Sequence, residues 1–253
     1  MIRGIVFDLF DTLVDQNHDQ LRPVELEGHK VGATTPGLFA RARDEFGVDL
    51  PVREFIDRLN QSDRTLRVDT IDQGLELSTL DRFTALGTDL GLSDVLAFGR
   101  ALTDVHMGAL YEACSVPAHH EAVLTSLAID YRMALCSNFS DAATARAIVN
   151  EAGFDPHLMA MVISEEMGVR KPRREIFDAT IDALGLAPNE ILHVGDNLVA
   201  DIEGATAAGM RTVWVTRQIG DPEAAMARYE GPQPDFALED LLDLPVLVAR
   251  LGV

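Results

Sequence analysis

Apolar positions fall in two rhythms along this chain. Near its start, Ile2, Ile5, Val6 and Phe7 form a short run, apolar on both faces, that stops at Asp8 and is followed by Leu9, Phe10, Asp11, Thr12 and Leu13. Such a run predicts a buried strand of a parallel sheet, with Asp8 delivered to its carboxyl end. The sheet rhythm then disappears. Residues 17–36 are polar and Gly-containing and predict a loop with a short helical piece. Helical patterns follow over 37–46, 52–60, 71–90 and 93–111. In the third of these, Leu75, Leu77, Leu80, Phe83 and Leu86 recur at spacings that suit one helix face. Nothing between 14 and 117 reads as a strand.

From residue 118 strands and helices alternate. The pattern predicts a helix over 118–129, a strand over 131–136 ending in Ser137-Asn138, and a helix over 141–153 stopped by Gly153. A strand over 159–164 and a helix over 173–185 flank Lys171-Pro172. Next come a strand over 190–194 ending in Gly195-Asp196, a helix over 198–209 and a strand over 211–216. Residues 235–238 predict an edge strand, and 241–249 a last, Pro-interrupted helical stretch. Short connections between alternating elements imply parallel βαβ units with right-handed crossovers. The expected fold class is therefore α/β. A Rossmann-like parallel sheet core with helices on both faces comprises 1–13 and 118–253, with a helical insertion at 14–117.

Polar residues with chemical uses stand at four strand ends: Asp8, Ser137, Asp196 and, a few residues after its strand, Lys171. A parallel sheet lays those ends along one edge, so the four can converge. A carboxylate such as Asp8 can attack phosphorus or carbon as a nucleophile. Asp8 and Asp196 together make a pair of hard oxygen ligands of the kind Mg²⁺ takes. Ser137, with its own N–H and that of Asn138 at a strand-to-helix turn, suits a phosphate oxygen. Lys171 would offset the repulsion between Asp8 and an anionic substrate. Asp201 either orients metal-bound water or favours the start of its helix. Taken singly, each has an ordinary explanation as a cap, a surface charge or a turn. Their common placement at strand ends is what lifts them above it.

Composition narrows the partners. The 253 residues are 47% hydrophobic and 25% charged, with a net charge of −20. So acidic a chain lacks the clustered Lys and Arg that nucleic acid or an anionic membrane surface requires. No apolar run is long enough to span a membrane and no secretory signal is present, so a cytoplasmic location is expected. Cys114 and Cys136 have neither metal nor disulfide spacing and are expected as core thiols. Only Lys30 and Lys171 are lysines. In a chain that otherwise uses Arg, Lys171 is expected where a compact point charge matters, with an electrostatic rather than a structural role.

Together, Phe7-Asp8-Leu9-Phe10-Asp11-Thr12-Leu13, Cys136-Ser137-Asn138, Val169-Arg170-Lys171-Pro172 and Val194-Gly195-Asp196-Asn197 through Asp201-Ile202 resemble the four motifs of the haloacid dehalogenase superfamily of hydrolases. The insertion resembles that family's all-α cap. The resemblance implies Asp8 as nucleophile, Ser137 as phosphate-binding hydroxyl and Lys171 as stabilising cation. It places Mg²⁺ on Asp8, Asp196 and the backbone carbonyl of Phe10, with Asp201 and Asn197 supporting them from behind. Phe10 and Asn138 would line the substrate position. One departure matters. The family's phosphatases carry a second Asp, a general acid, two residues after the nucleophile, and here that residue is Phe10. Asp11, one place later, would on a strand point to the other face. The family's metal-free 2-haloacid dehalogenases also put an aromatic there, because a halide leaves without a proton. They lack the Gly195-Asp196 pair. The expectation is thus a Mg²⁺-dependent hydrolase of a small phosphorylated metabolite through an aspartyl-phosphate on Asp8. A metal-free 2-haloacid dehalogenase and a catalytically weak binding protein are the alternatives. His18, His29, Lys30, Arg64 and Arg67 are the insertion's candidates for touching substrate, although each is of a type usually found exposed.

Overall fold

In the computed structural model, which describes residues 1–251, the chain divides into two compact units. One comprises Met1–Asp15 and Ser115–Val253, the other Gln16–Cys114. The second unit thus begins two residues after, and ends three before, the limits expected for the insertion.

Strand β1 (Gly4–Phe7) is buried throughout. Past β2 (Asp15–Gln16) the second unit brings a correction, because it contains a hairpin where no strand was expected. In β3 (Val24–Leu26) and β4 (His29–Val31), Val24 pairs with Val31 and Leu26 with His29, antiparallel. Glu27 and Gly28 make the turn at φ 46° and 79°. Two successive left-handed residues suit a tight hairpin, but Glu is not a residue that announces one.

Four helices complete this unit: α1 (Thr35–Phe46), α2 (Val52–Asp69), α3 (Thr79–Asp89) and α4 (Val95–Glu112). Helix α2 outruns its expected end because its apolar stripe stops at Leu59, and the later turns expose Arg64, Arg67 and Val68. Leu75 and Leu77 lie outside any helix. A single 3₁₀ turn, Ile71–Gln73, precedes them, and α3 starts only after its cap Ser78, whose hydroxyl accepts the Asp81 N–H at 3.0 Å. Leu38, Phe39, Phe55, Phe83, Leu86, Phe98 and Leu102 form the buried centre.

The chain re-enters the first unit through β5 (Cys114–Ser115), which pairs with β2. There follow α5 (His120–Leu127), β6 (Arg132–Ser137), α6 (Ala142–Glu151), β7 (Ala160–Ile163), the short α7 (Ser164–Met167) and α8 (Arg174–Leu184). After β8 (Ile191–Gly195), a π-helical turn over Leu198–Glu203 runs into α9 (Gly204–Ala207), where one regular helix was expected. Then come β9 (Arg211–Val215), an unforeseen α10 (Pro222–Arg228), the edge strand β10 (Phe236–Leu238) and α11 (Leu244–Leu251).

Six strands form one parallel sheet in the order β10-β9-β8-β1-β6-β7. In sheet-strand numbering this is the doubly wound order, and it reverses at β1, which lies between β6 and β8. Val6, Ala134 and Cys136 pack with Ile176, Phe177 and Ile181 of α8 on one face. Alternation sends the equally buried Ile5, Phe7, Met133 and Leu135 to the other. Neither face is left to solvent, as a parallel sheet requires.

Candidate active site

The switch point of the sheet is where the acidic residues gather. Phe7 stands level with Leu135 of β6 and Val194 of β8. Asp8 therefore leaves the sheet between the ends of both neighbours, its N–H donating to Val194 O at 2.9 Å. Donor atoms of Asp8, Asp196 and Asp201 lie within 4.8 Å of one another. Lys171 reaches this cluster from the segment after α7. Its Nζ donates to Asp8 Oδ1 at 2.6 Å, Asp201 Oδ1 at 2.6 Å and Cys136 O at 2.7 Å. All three ammonium protons are thereby used. Asp8, Lys171 and Asp201 are almost entirely removed from water.

Burial shapes their charges. It pushes the Asp8 carboxyl up to about 6, against the opposing pull of Lys171. Asp196 is pushed up to about 8 by burial and by the charges of Asp8, Asp201 and Asp11. For Asp201 burial is outweighed by Lys171 and the His193 hydrogen bond, which hold the carboxyl well below its usual range. Burial would lower Lys171, but Asp201 and Asp8 outweigh it and keep the ammonium charged. One cation faces three carboxylates, and the excess negative charge falls on Asp8 and Asp196. Such a set of hard, incompletely compensated oxygens fits a small divalent cation.

Several expected roles change with the geometry. Both oxygens of Asp201 are engaged by the protein itself. Its Oδ1 accepts from Lys171 and from His193 Nε2 at 2.9 Å, and its Oδ2 from the Asn197 N–H at 3.1 Å. It anchors the lysine instead. That places a buried structural duty on Lys171 besides an electrostatic one. Gly195 makes the arrangement possible, since a Cβ there would sit 2.3 Å from Asp201 Cγ. Asn197 is turned away from the cluster, with Oδ1 accepting the N–H groups of Val199 and Ala200 at 3.0 and 2.9 Å as a helix cap. The Asn138 side chain is likewise engaged. It donates to Lys171 O at 3.0 Å and accepts the Lys171 N–H at 2.7 Å, beside the cis Lys171-Pro172 peptide.

Ser137 is fully buried and its Oγ has no partner, a donor left for a ligand oxygen. Phe10 is half-buried with its ring 4.6 Å from that of Phe139. Asp11 is not in a strand conformation at all. At φ 56° it is left-handed, so strand alternation does not govern it, and its charge bears on Asp196. His193 was not singled out from the sequence, yet it is wholly buried against Asp201. The available signal was one imidazole inside the apolar strand Ile191-Leu192-His193-Val194. Cys136 is buried, with its thiol pushed up to about 11 by burial, whereas Cys114 is half-exposed and is no core thiol. His18, Lys30, Arg64 and Arg67 of the second unit are exposed, and His29 is half-exposed. Among the described residues no helix is long and apolar enough to cross a membrane.

Residues 2–209 match a family model described as haloacid dehalogenase-like hydrolase. Among curated relatives, the N-acylneuraminate-9-phosphatase of Rattus norvegicus is 32% identical over 132 residues, covering 52% of this chain and 51% of that protein. The phosphoserine phosphatase of Thermus thermophilus is 39% identical over 95 residues, 37% of this chain and 35% of that protein. The matches thus span about half or less of those relatives. A 2-haloacid dehalogenase from Pseudomonas syringae pv. Tomato superposes with a TM-score of 0.73 at 20% identity, covering 99% of this chain and all of that one. A HAD phosphatase from Thermococcus onnurineus gives 0.64 at 20%, covering 98% of each. At that identity the likeness shows the fold alone.

Proposed function

This chain belongs to the haloacid dehalogenase-like hydrolases, and from that premise we propose that it is a Mg²⁺-dependent phosphatase of small phosphorylated compounds, working through an aspartyl-phosphate on Asp8. The observation that carries the reading is a buried carboxylate–lysine pair, Asp8 with Lys171, set beside the carboxyl of Asp196 at neighbouring strand ends. The phosphatases among its relatives support it.

An Asp8 carboxylate oxygen attacks phosphorus, and the bond from phosphorus to the leaving oxygen breaks. Water then attacks the acyl phosphate, releasing phosphate and restoring Asp8. With its carboxyl near 6, Asp8 is mostly ionised at neutral pH and available to attack. Lys171 is fixed by three acceptors and needs no rearrangement as negative charge grows on the transferring group. The Ser137 hydroxyl, buried without a partner, donates to a phosphoryl oxygen. Asp8, Asp196 and the Phe10 carbonyl would hold Mg²⁺, which supplies charge neutralisation at the phosphoryl oxygens. Phe10 can give no proton to the leaving oxygen, so this site favours substrates whose leaving group is already a stable anion.

Phe10 also supports a second reading, hydrolysis of a 2-haloacid by attack of Asp8 on carbon, for which no leaving-group proton is needed. Asp196 weighs against it, because a halide displacement has no use for a metal-ligating carboxylate. A screen of phosphate esters and 2-haloacids, each with Mg²⁺ and with a chelator, separates the two. Mg²⁺-dependent phosphate release is the expected result. Chelator-insensitive halide release would replace this proposal with the second.

A further inference from the structure

A second group of side chains of metal-ligating type lies in the sheet unit, apart from the Asp8 cluster. His119 and His120 open α5, and Asp240 follows β10. One donor atom from each lies within 4.8 Å of the others. His119 Nε2 and Asp240 Oδ1 are 2.6 Å apart.

The decisive residue is His120. Its side chain is wholly buried, and Nδ1 sits 2.8 Å from Leu13 O. A carbonyl only accepts, so Nδ1 carries the proton and Nε2 keeps its lone pair. That Nε2 is buried and has no partner, which ordinarily costs stability. An imidazole whose Nδ1–H is held by a backbone carbonyl while Nε2 is left open is in the tautomer of a metal ligand. Burial also keeps the ring neutral, as ligation requires.

We propose that His119, His120 and Asp240 form a separate site for a divalent transition metal of the zinc class. Two imidazoles and one carboxylate are borderline donors that suit Zn²⁺ and are poor for Mg²⁺, which wants oxygen alone. The ion takes the place of the proton shared between His119 and Asp240. The nearby cation Arg217 does not forbid it. Arg217 approaches Asp240 Oδ2 at 3.5 Å, but its guanidinium forks onto both oxygens of Asp15, which cancels its charge. With two neutral imidazoles, the Asp15, Arg217 and Asp240 charges sum to one negative. His119 and Asp240 are about a third exposed, so an ion has a way in and a fourth position is left for water. Bound there, it ties the start of α5 to the segment after β10 and, through His120, to the Leu13 carbonyl behind the Asp8 loop.

The test uses the full chain, metal-stripped, in an Asp196→Asn background that weakens cation binding at the Asp8 cluster. Zn²⁺ is titrated by calorimetry and Co²⁺ by visible absorption. One equivalent of Zn²⁺ is expected to bind and to raise the melting temperature. Co²⁺ should give ligand-field bands without a sulfur charge-transfer band, which sets Cys114 aside. Adding His119→Ala or Asp240→Asn should weaken binding by at least about 100-fold, since even outer partners of a metal ligand are worth 10–100-fold. Asn at 240 keeps the cap on the Leu242 N–H, so that variant isolates the ligand charge. No saturable Zn²⁺ binding, or an affinity unchanged in both variants, would overturn the proposal. Loss of phosphatase activity in Asp196→Asn bears on the Asp8 site alone and leaves this outcome separate.

Discussion

The two units of this chain treat buried polarity in opposite ways. The sheet unit takes Asp8, Lys171, His193 and Asp201 out of water at one end of its strands. The helical unit fills its centre with Leu and Phe and keeps its ions at the rim, where Arg82 and Asp63 meet through two bonds with side chains 24% exposed. Its half-buried His106 lies 2.9 Å from Thr34 Oγ1 and is pushed down to about 4 by burial, so it stays neutral. Removing an ion from water costs several kcal/mol even after relaxation. The chain accepts that cost where charge can do chemistry and avoids it elsewhere. The buried ion cluster of the sheet unit therefore points to function, and the half-buried neutral His106 of the helical unit to packing.

The sharpest way to break that comparison is Asp8→Asn. If the ion cluster exists for chemistry, turnover should fall by about 10⁴-fold or more, in the range seen when a nucleophile is removed. Melting temperature should hold or rise, because a carboxyl pushed up by burial is relieved. Steady-state rates and a thermal melt check both halves.

Lys171→Met tests the cost side. It leaves Asp8 and Asp201 buried with no cation, and breaking a buried pair in this way costs about 3–5 kcal/mol. Rate should fall by orders of magnitude as well. Adding Asp201→Asn should recover most of the stability and none of the rate. A denaturant titration of the single and double variants measures the coupling. A stable Lys171→Met protein would mean that the cluster is wetter than its burial implies.

Phe10→Asp asks whether the cluster lacks a proton donor. Wild type should turn over aryl and acyl phosphates readily and alkyl phosphates slowly. Since a placed general acid is worth about 10²–10⁴-fold, the variant should speed alkyl esters most. A wild-type rate indifferent to leaving group would show that another residue supplies the proton.

The smallest effect belongs to the helical unit. His106 titrates near 4 when folded and near 6.5 when unfolded. A histidine held low contributes stability that is present above 6.5 and is lost as pH falls through 4, because the unfolded chain takes up the proton first. For a half-buried ring this amounts to about 1–2 kcal/mol. Melts of wild type and His106→Asn between pH 7 and 4 should differ by that slope, the variant losing less.

The sheet was readable because a strand buried on both faces leaves a continuous apolar run, and a polar residue ending such a run is conspicuous. That contrast is what makes Asp8, Ser137 and Asp196 stand out in the amino-acid sequence alone. What escaped lacks it. Asn138 and Asn197 stand beside chemically useful groups but spend their side chains on the backbone. Asp201 was visible as an acid, but only the missing Cβ of Gly195 shows how it fits beneath Lys171. Asp11 was read by strand alternation in a place where the backbone is left-handed. In the helical unit, α2 continued past its last buried apolar position, and the Glu27-Gly28 hairpin puts a Glu, not a usual turn residue, at its first left-handed position.

The position of β1 in its sheet has a consequence for how the chain is made. Gly4 pairs with Arg132 on one side and Ile191 on the other. The strand that carries Asp8 leaves the ribosome before either partner, the earlier of which is synthesised more than a hundred residues later. At about 5–20 residues per second, Ile5, Val6 and Phe7 wait many seconds with no sheet to join. The helical unit, encoded in between, draws its contacts from neighbouring helices and has a low closure cost. It is available to fold while the first strand is still unpaired. The nascent chain thus carries a wholly apolar strand with both edges unpaired until β6 emerges, and that interval is when it is most open to misassociation and to chaperone capture.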